Sequence, residues 1–360
     1  MTDDLLERLA RAGNPLIDGD RATFVWVGDV PPLLIGDFTG WHQGVELTRV
    51  PDADGGQVVW AHTVTLPRAA YIEYAWARQL KTDTMPEVRI PDPYNARTIW
   101  NGIDADNHWF GMPEYQPTGL IRRRRGIARG RITRIAVAHD LMIARKPRSI
   151  WLYQPPVQEP VPLLVVWDGR DYLTRARLPA IADNLIGLGR IRPIALALID
   201  NAGKLRFQEY LMSEGTIALL TEVLLPTFKR HFNLIDPEVE PRSWGVLGAS
   251  MGGLMALFTG LRLPHIFGHV ISQSGAFEFR FGERRPLMDE IIRKGKRRKL
   301  TIWQDVGSLE WLYPANQRMN RLLRKRGYRV SYRVFEGGHN YTCWRNQLPD
   351  ALSAVYGQGE

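Results

Sequence analysis

The segment Gly248-Ala249-Ser250-Met251-Gly252 constrains the fold of this chain more than any other feature of its sequence. It follows the apolar run 244–247 and precedes the apolar run 254–258. The pattern G-x-S-x-G between a strand and a helix is typical of a sharp turn whose flanking positions must be small. It predicts that Ser250 protrudes as a nucleophile at the end of a strand, and that the N–H of Met251 points to where an oxyanion would develop.

The part of the chain around this turn alternates apolar runs with helical ones. We predict strands over 132–138, 149–153, 162–167, 193–199, 243–247, 267–272, 299–304 and 328–335. We predict helices near 177–188, 214–231, 251–262, 314–326 and 341–355. This order indicates an α/β domain with a mixed, mostly parallel sheet covered by helices on both faces, in which the first two strands form an antiparallel edge.

The beginning of the chain has a different pattern. Residues 2–12 have the spacing of a short helix, and from 21 to 90 short alternating runs are separated by turn-forming residues. These runs predict a small antiparallel β-sandwich. We therefore expect an N-terminal domain over 1–118, a basic linker over 119–131 and an α/β catalytic domain over 132–360.

Charge and composition exclude several classes of protein. Residues 1–118 carry 9 Lys and Arg against 17 Asp and Glu, whereas the remainder carries 38 against 21. The basic surface either is solvated or attracts an anionic small substrate. The nucleic-acid-binding signatures are missing, so we expect no nucleic-acid partner.

A single cysteine, Cys343, excludes an intramolecular disulfide and a multi-cysteine zinc site. Without an apolar run of about 18 residues or a secretory signal, we expect a cytoplasmic protein with no membrane partner. A homodimer stays open.

A serine nucleophile needs a base and an orienting acid, and in this arrangement they follow it in the order acid, then histidine. His265 and His269 follow the predicted helix after Ser250 too closely to lie past another strand. His339 lies in a loop after the last predicted strand. Two acids follow the preceding strand, and we favour Glu310 over Asp305 because a glycine lets the loop turn back; Asp305 would then cap the loop.

Further residues complete the predicted site. The N–H of Arg170, after a strand and a Gly169 that permits an unusual backbone conformation, is our choice for the second oxyanion donor; a plain glycine turn is the alternative. Trp311 and Trp344 flank the acid and the base, and they either line an aromatic ester pocket or pack beneath the loops. This chemistry requires no metal and no organic cofactor.

Several stretches also carry a family resemblance, among them VVWDGRDYL, GVLGASMGGLMAL, DVGSLE and GGHNYTCWRNQLPDAL. Over about residues 130–355, the chain resembles the enterochelin esterase branch of the esterase D-like α/β-hydrolases. The resemblance implies a triad of Ser250, Glu310 and His339, with Arg170 as an oxyanion donor. It also implies that Arg206 and Glu209 pair and hold a loop near the site, or that Arg206 binds an anionic substrate. GDFTGW and PDPYN resemble the immunoglobulin-like domains of such esterases, which are related to glycogen-binding modules.

These features together predict a serine carboxylic-ester hydrolase for small or aryl esters, with siderophore esters as the substrate that the resemblance implies. A feruloyl or acetyl-xylan esterase whose N-terminal module binds glycan through Trp41, Trp60 and Trp76 is the first alternative. That module would otherwise shape the pocket entrance or make a dimer contact. A non-catalytic protein that binds a glycan or a partner is the alternative from another class, and the presence of both nucleophile and base argues against it.

Overall fold

The computed structural model describes residues 2–51, 57–80, 87–140, 142–143, 146–280 and 282–357. They form two compact units. Unit 1 contains Met1–Pro117 together with two later segments, Gly307–Trp311 and Phe335–Cys343. Unit 2 contains Thr118–Val306, Leu312–Val334 and Trp344–Glu360. Two short segments of the predicted catalytic domain therefore group with the N-terminal residues.

The described residues of unit 1 form an α-helix and two antiparallel sheets. Its elements are α1 (Thr2–Ala12), β1 (Leu16–Asp18), β2 (Arg21–Val27), β3 (Leu33–Gly36), β4 (Thr48–Arg49), β5 (Val59–Thr65), β6 (Tyr71–Gln79), β7 (Val88–Ile90), β8 (Thr98–Trp100) and β9 (Asp106–Gly111). One sheet has the order β1-β2-β5-β4; the other has the order β3-β6-β9-β8, with β7 paired to β6. The predicted antiparallel β-sandwich is confirmed.

Aromatic side chains from both sheets form the core of this sandwich. Phe24 of β2 makes edge contacts with Tyr74 and Trp76 of β6 and with Phe110 of β9. Trp76 is fully buried, so its ring has no exposed face on which a sugar could stack. Trp41 and Trp60 are half-buried, and the indole N–H of Trp60 donates to the carbonyl of Gly28.

Unit 2 contributes most of an eight-stranded mixed sheet. Its strands are β10 (Arg131–Val137), β11 (Arg148–Gln154), β12 (Leu163–Val166), β13 (Ala195–Ile199), β14 (Trp244–Ala249), β15 (Phe267–Gln273), β16 (Thr301–Gly307) and β17 (Arg329–Phe335). The order is β10-β11-β13-β12-β14-β15-β16-β17. β10, β11 and β13 pair antiparallel, and the pairs from β13 to β16 are parallel. The predicted mixed, mostly parallel sheet with an antiparallel edge is confirmed.

The helices of this part alternate with the strands. They are α2 (Gly169–Thr174), α3 (Leu178–Gly187), α4 (Arg206–Tyr210), α5 (Glu214–Leu219), α6 (Leu225–His231), α7 (Met251–Arg262), α8 (Leu287–Lys294), α9 (Tyr313–Lys325) and α10 (Tyr341–Tyr356). The helix predicted over 214–231 is interrupted by a π turn at Leu220–Leu224. In α7 every residue except Arg262 is buried, which fits its apolar sequence.

Among the described residues, none of the helices alone has the length and apolar composition to cross a bilayer. The helical segments Gly203–Tyr210 and Glu214–His231 meet those two criteria only as a pair, bent by 100° at the break between them.

Candidate active site

The turn that carries Ser250 has the geometry predicted from its sequence. Ser250 has φ 58° and ψ −121°, a region that side-chain-bearing residues rarely adopt. Its N–H donates to the Gln273 carbonyl over 2.8 Å. A Cβ atom on Gly248 would lie 2.2 Å from the carbonyl oxygen of Gly252, so only glycine fits there. The turn therefore holds a half-buried serine in a strained conformation, as nucleophile elbows do.

The two predicted oxyanion donors lie at helix starts. Met251 is the first residue of α7 and Arg170 the second residue of α2, positions whose N–H groups have no partner within their own helix. The prediction of an unusual backbone conformation at Gly169 is wrong. The residue in the left-handed conformation is Asp168, with φ 56°. Gly169 is required for another reason, because a Cβ atom there would lie 2.1 Å from the backbone of Leu198.

Asp168 is buried and is held by several donors. Arg206 forms two hydrogen bonds to its carboxylate, Nε to Oδ1 and Nη2 to Oδ2, both 2.6 Å long. Asn201 donates to Oδ1 over 2.7 Å. The backbone N–H of Asp168 donates to the hydroxyl of Tyr210, and Arg206 also reaches the carbonyl of Ala249, over 3.4 Å. A bidentate guanidinium–carboxylate pair thus connects the turn before Arg170 with the residue before Ser250.

The acidic residue that the resemblance grouped with Arg206 has a different partner. Glu209 forms a buried ion pair with Arg148 and accepts a hydrogen bond from the N–H of Ala202 over 2.9 Å. Burial raises the pKa of Glu209, although Arg148 opposes the rise. Arg206 and Glu209 therefore hold the loop after β13 through two separate ion pairs, one to Asp168 and one to Arg148.

The predicted acid and base are in direct contact within unit 1. Glu310 Oε2 lies 2.7 Å from His339 Nδ1, and Glu310 Oε1 accepts from the N–H of Gly307 over 2.8 Å. The Glu310 side chain is fully buried and that of His339 is 13% exposed. The N–H of Leu309 donates to the Gly337 carbonyl over 3.1 Å, which joins the loop after β16 to the loop after β17.

Asp305, the other candidate acid, lies elsewhere. The strand β16 extends to Gly307, so Asp305 is a strand residue and does not cap the loop as expected. Its carboxylate is fully buried, and Oδ2 accepts from Gln273 Nε2 over 3.0 Å and from Trp303 Nε1 over 2.7 Å. These contacts connect two neighbouring strands and give Asp305 a structural role.

The two tryptophans next to the acid and base differ in exposure. Trp311 is 44% exposed, and its ring centroid lies 4.6 Å from that of His339. Trp344 is buried, and its indole N–H donates to Ser274 Oγ over 2.8 Å. Cys343 is also buried; burial and the nearby Asp37 carboxylate raise the pKa of its thiol well above the usual range, so it stays a neutral, apolar group.

The structure also shows contacts that the sequence did not predict. Asp168 braces the predicted oxyanion turn, and Asp37 contacts the loop that carries His339. The acid–glycine pair at 168–169 was a usable signal for the first, whereas Asp37 and Asn340 are 303 positions apart and no local pattern links them. In the described part of the chain, no group of three or more His, Cys, Asp and Glu side chains is arranged to hold a metal ion.

Comparison with known proteins identifies relatives of this chain. The chain is 32% identical over 223 residues to an iron(III) enterobactin esterase of Dickeya dadantii, a match that covers 57% of this chain and 51% of that protein. It thus spans about half the length of the curated relatives that it matches.

Two types of solved structure share the fold. An enterobactin esterase from Shigella flexneri, crystallised in the presence of 2,3-dihydroxy-N-benzoyl-serine, is 20% identical with a TM-score of 0.74; the likeness covers 99% of this chain and 98% of that one. A ferulic acid esterase from Anaeromyces mucronatus, in complex with ferulic acid, is 15% identical with a TM-score of 0.54 and covers 66% of this chain and 95% of its own.

The family model described as "Putative esterase" matches residues 144–355. This range includes the turn at Ser250, the Glu310–His339 pair and the Arg206–Asp168 ion pair. It covers more than half of the chain. The chain therefore belongs to this putative esterase family.

Proposed function

We propose that this chain is a serine carboxylic-ester hydrolase with Ser250 as nucleophile, His339 as general base and Glu310 as the acid that orients it. The observation that carries the proposal is the 2.7 Å hydrogen bond between Glu310 and His339. The strained turn at Ser250 supports it independently, because a serine at positive φ between a strand and a helix, with glycines two residues before and after it, has the geometry of a nucleophile elbow. Residues 132–360 would supply the nucleophile, base and acid, with 1–118 as a separate module and 119–131 as the linker.

The three proposed residues follow strands of one sheet. Ser250 follows β14, Glu310 follows β16 and His339 follows β17, and these strands lie in one sheet in the order β14-β15-β16-β17. In sheets of this kind, ligands bind outside the carboxyl ends of the strands. The three side chains are therefore proposed to act at that edge.

The hydrogen bond defines the direction of proton transfer. With its proton on Nδ1 and donated to Glu310, the imidazole of His339 carries a lone pair on Nε2, which would accept the proton of Ser250 as Oγ attacks the ester carbonyl. The N–H groups of Met251 and Arg170 would donate to the oxyanion of the tetrahedral intermediate. His339 then protonates the leaving alcohol, and a water molecule activated by the same histidine hydrolyses the acyl-enzyme.

For the substrate, we propose small or aryl esters, and among them siderophore esters such as ferric enterobactin. The exposed ring of Trp311 beside His339 offers an aromatic surface next to the base. The basic residues after 118 favour an anionic ligand. The relative that is 32% identical is an iron(III) enterobactin esterase, which favours the siderophore over ferulate. A cytoplasmic location and a homodimer stay predictions.

A competition assay tests this proposal. The protein receives p-nitrophenyl butyrate, methyl ferulate and ferric enterobactin together, and mass spectrometry follows the loss of each ester, with Ser250→Ala as control. We expect the siderophore to be lost first and the variant to be inactive with a nearly unchanged melting temperature. Preferential loss of methyl ferulate would contradict the substrate, and turnover by Ser250→Ala would contradict the nucleophile.

A further inference from the structure

The loop Glu336–Asn340, which we call the histidine loop, is tied to the N-terminal sandwich within unit 1. Glu336 Oε2 accepts a hydrogen bond from the N–H of Ala69 over 2.9 Å. Gly337 forms a parallel bridge with Tyr71, at the start of β6. The loop that carries the proposed base is thus fixed at its beginning by residues of the sandwich and not only by its own strand.

Asp37 fixes the other side of this loop. It lies in the turn directly after β3 and is 2% exposed. Its Oδ2 accepts from the N–H of Glu73 over 2.9 Å and from Asn340 Nδ2 over 3.2 Å, and its Oδ1 accepts from Trp41 Nε1 over 3.1 Å. The carboxylate thus joins β6, the turn after β3 and the residue that follows His339.

The residue before His339 also packs against Asp37. A Cβ atom on Gly338 would lie 2.0 Å from Asp37 Cγ, so the backbone of the loop rests on the carboxylate. On the far side, Asn340 Oδ1 accepts from the N–H of Cys343 over 2.9 Å, which continues the restraint into α10. Both neighbours of His339 in the chain are therefore in contact with one buried acid.

A buried acid at this place is costly to the fold. Burial and the neighbouring Glu73 carboxylate raise the pKa of Asp37 well above its usual range. Charged groups taken out of water in this way destabilise a protein unless hydrogen bonds compensate. Costly polar groups of this kind are concentrated at functional sites, so the arrangement calls for a functional explanation.

We propose that Asp37 is a positioning residue for His339: through Asn340 and Gly338, it holds the imidazole in the orientation in which Nδ1 meets Glu310. The inference rests on the proposed function, because it assumes that His339 is the general base. The N-terminal module then contributes to catalysis, because Asp37 restrains the histidine loop without contacting the substrate.

The test compares Asp37→Ala, which leaves no acceptor for Asn340, with Asp92→Ala. Asp92 is a matched control, because it is 5% exposed and its Oδ2 accepts from three side chains of the N-terminal segment, Asn14, Tyr74 and Trp76. Both variants lose a buried carboxylate of the sandwich, but only Asp37 contacts the histidine loop. The kcat and KM for p-nitrophenyl butyrate are measured per folded molecule, with unfolding followed by circular dichroism.

We expect Asp37→Ala to lower kcat about 10- to 100-fold with KM changed less than about threefold, because small displacements of a catalytic group have effects of this size. Asp92→Ala should lower the melting temperature but change kcat less than about threefold. If Asp37→Ala does not fold, Asn340→Ala, which removes the same hydrogen bond from the loop side, should show the same fall in kcat. In the double variant of Asp37→Ala and Asn340→Ala the two effects should not add.

Equal kcat values for Asp37→Ala and wild type, or equal losses in Asp37→Ala and Asp92→Ala, would overturn the inference. So would full activity of Asn340→Ala, or additive effects in the double variant. Failure of the proposed function gives another result: the wild type would then show no turnover that Ser250→Ala abolishes.

Discussion

Replacing Glu310 by Gln separates the acid of the proposed triad from the other buried acid nearby. In the structure, Glu310 Oε1 accepts from the N–H of Gly307 and Oε2 from His339 Nδ1. A glutamine can serve only one of these donors as an acceptor. If its oxygen faces Gly307, its NH₂ group faces His339 and favours the tautomer with the proton on Nε2, which cannot accept the proton of Ser250.

The expected loss in kcat follows from which of the two donors the amide oxygen faces. Turning the amide so that its oxygen faces His339 leaves the Gly307 N–H without an acceptor, at a cost of about 1–3 kcal/mol. The imidazolium that forms during the reaction also loses its carboxylate partner. A change from acid to amide at this position of a triad lowers kcat by about 10⁴-fold in the best-known case. We expect a loss of about 10³- to 10⁴-fold here, or roughly 4–5.5 kcal/mol of transition-state stabilisation.

Asp305→Asn is the matched control, since that acid is as buried as Glu310. An asparagine oxygen can keep the bonds from Gln273 and Trp303, although hydrogen bonds to a neutral group are weaker. We expect a loss of about 1–2 kcal/mol in the free energy of unfolding and a kcat within about tenfold of wild type. The assay is p-nitrophenyl butyrate hydrolysis with urea unfolding of each variant. A larger loss of kcat in Asp305→Asn than in Glu310→Gln would refute the assignment.

Two further predictions concern residues that support the site, and a third concerns the stability of the fold. Gly248→Ala should abolish hydrolysis and destabilise the fold by at least about 1–3 kcal/mol, because its Cβ would lie 2.2 Å from the Gly252 carbonyl; an active enzyme would contradict the elbow geometry. Arg206→Leu should lower the free energy of unfolding in urea by about 3 kcal/mol and should lower kcat, because Asp168 stays buried without its cation. An unchanged free energy of unfolding would contradict a structural role of the Arg206–Asp168 ion pair. Burial lowers the pKa of His269 from 6.5 to about 4. The unfolded chain then binds a proton that the folded one does not, so between pH 7 and pH 5 the wild type should lose about 2 kcal/mol of stability more than His269→Gln; parallel pH profiles would exclude this effect.

The sequence predicts the mixed sheet well because its strands are apolar runs of the right length, and because the elbow at Ser250 needs glycines at positions that can be read directly. It also identifies Glu310 and His339 by their order after the last two strands, and the structure brings these two together.

The errors have a common physical origin, which is contact across the fold. Gly169 is needed because Leu198 lies against it, and no local backbone rule reveals that neighbour. Asp305 is a strand residue because β16 continues beyond the apolar run, and Asp305 pairs there with Gln273 of β15. Asp37 and Asn340 meet across 303 positions, and a single sequence carries no signal for such a pair.

The central claim is that Ser250 is the nucleophile, and labelling with a fluorophosphonate tests it most directly. The wild type and Ser250→Ala are incubated with the reagent, and intact mass, peptide mapping and residual hydrolysis of p-nitrophenyl butyrate are measured together. With Ser250 as the nucleophile, we expect one adduct per chain, on the peptide that contains Ser250, with activity lost in proportion, and no adduct on Ser250→Ala. An adduct on another residue that abolishes activity, or hydrolysis that persists without any adduct, would contradict it.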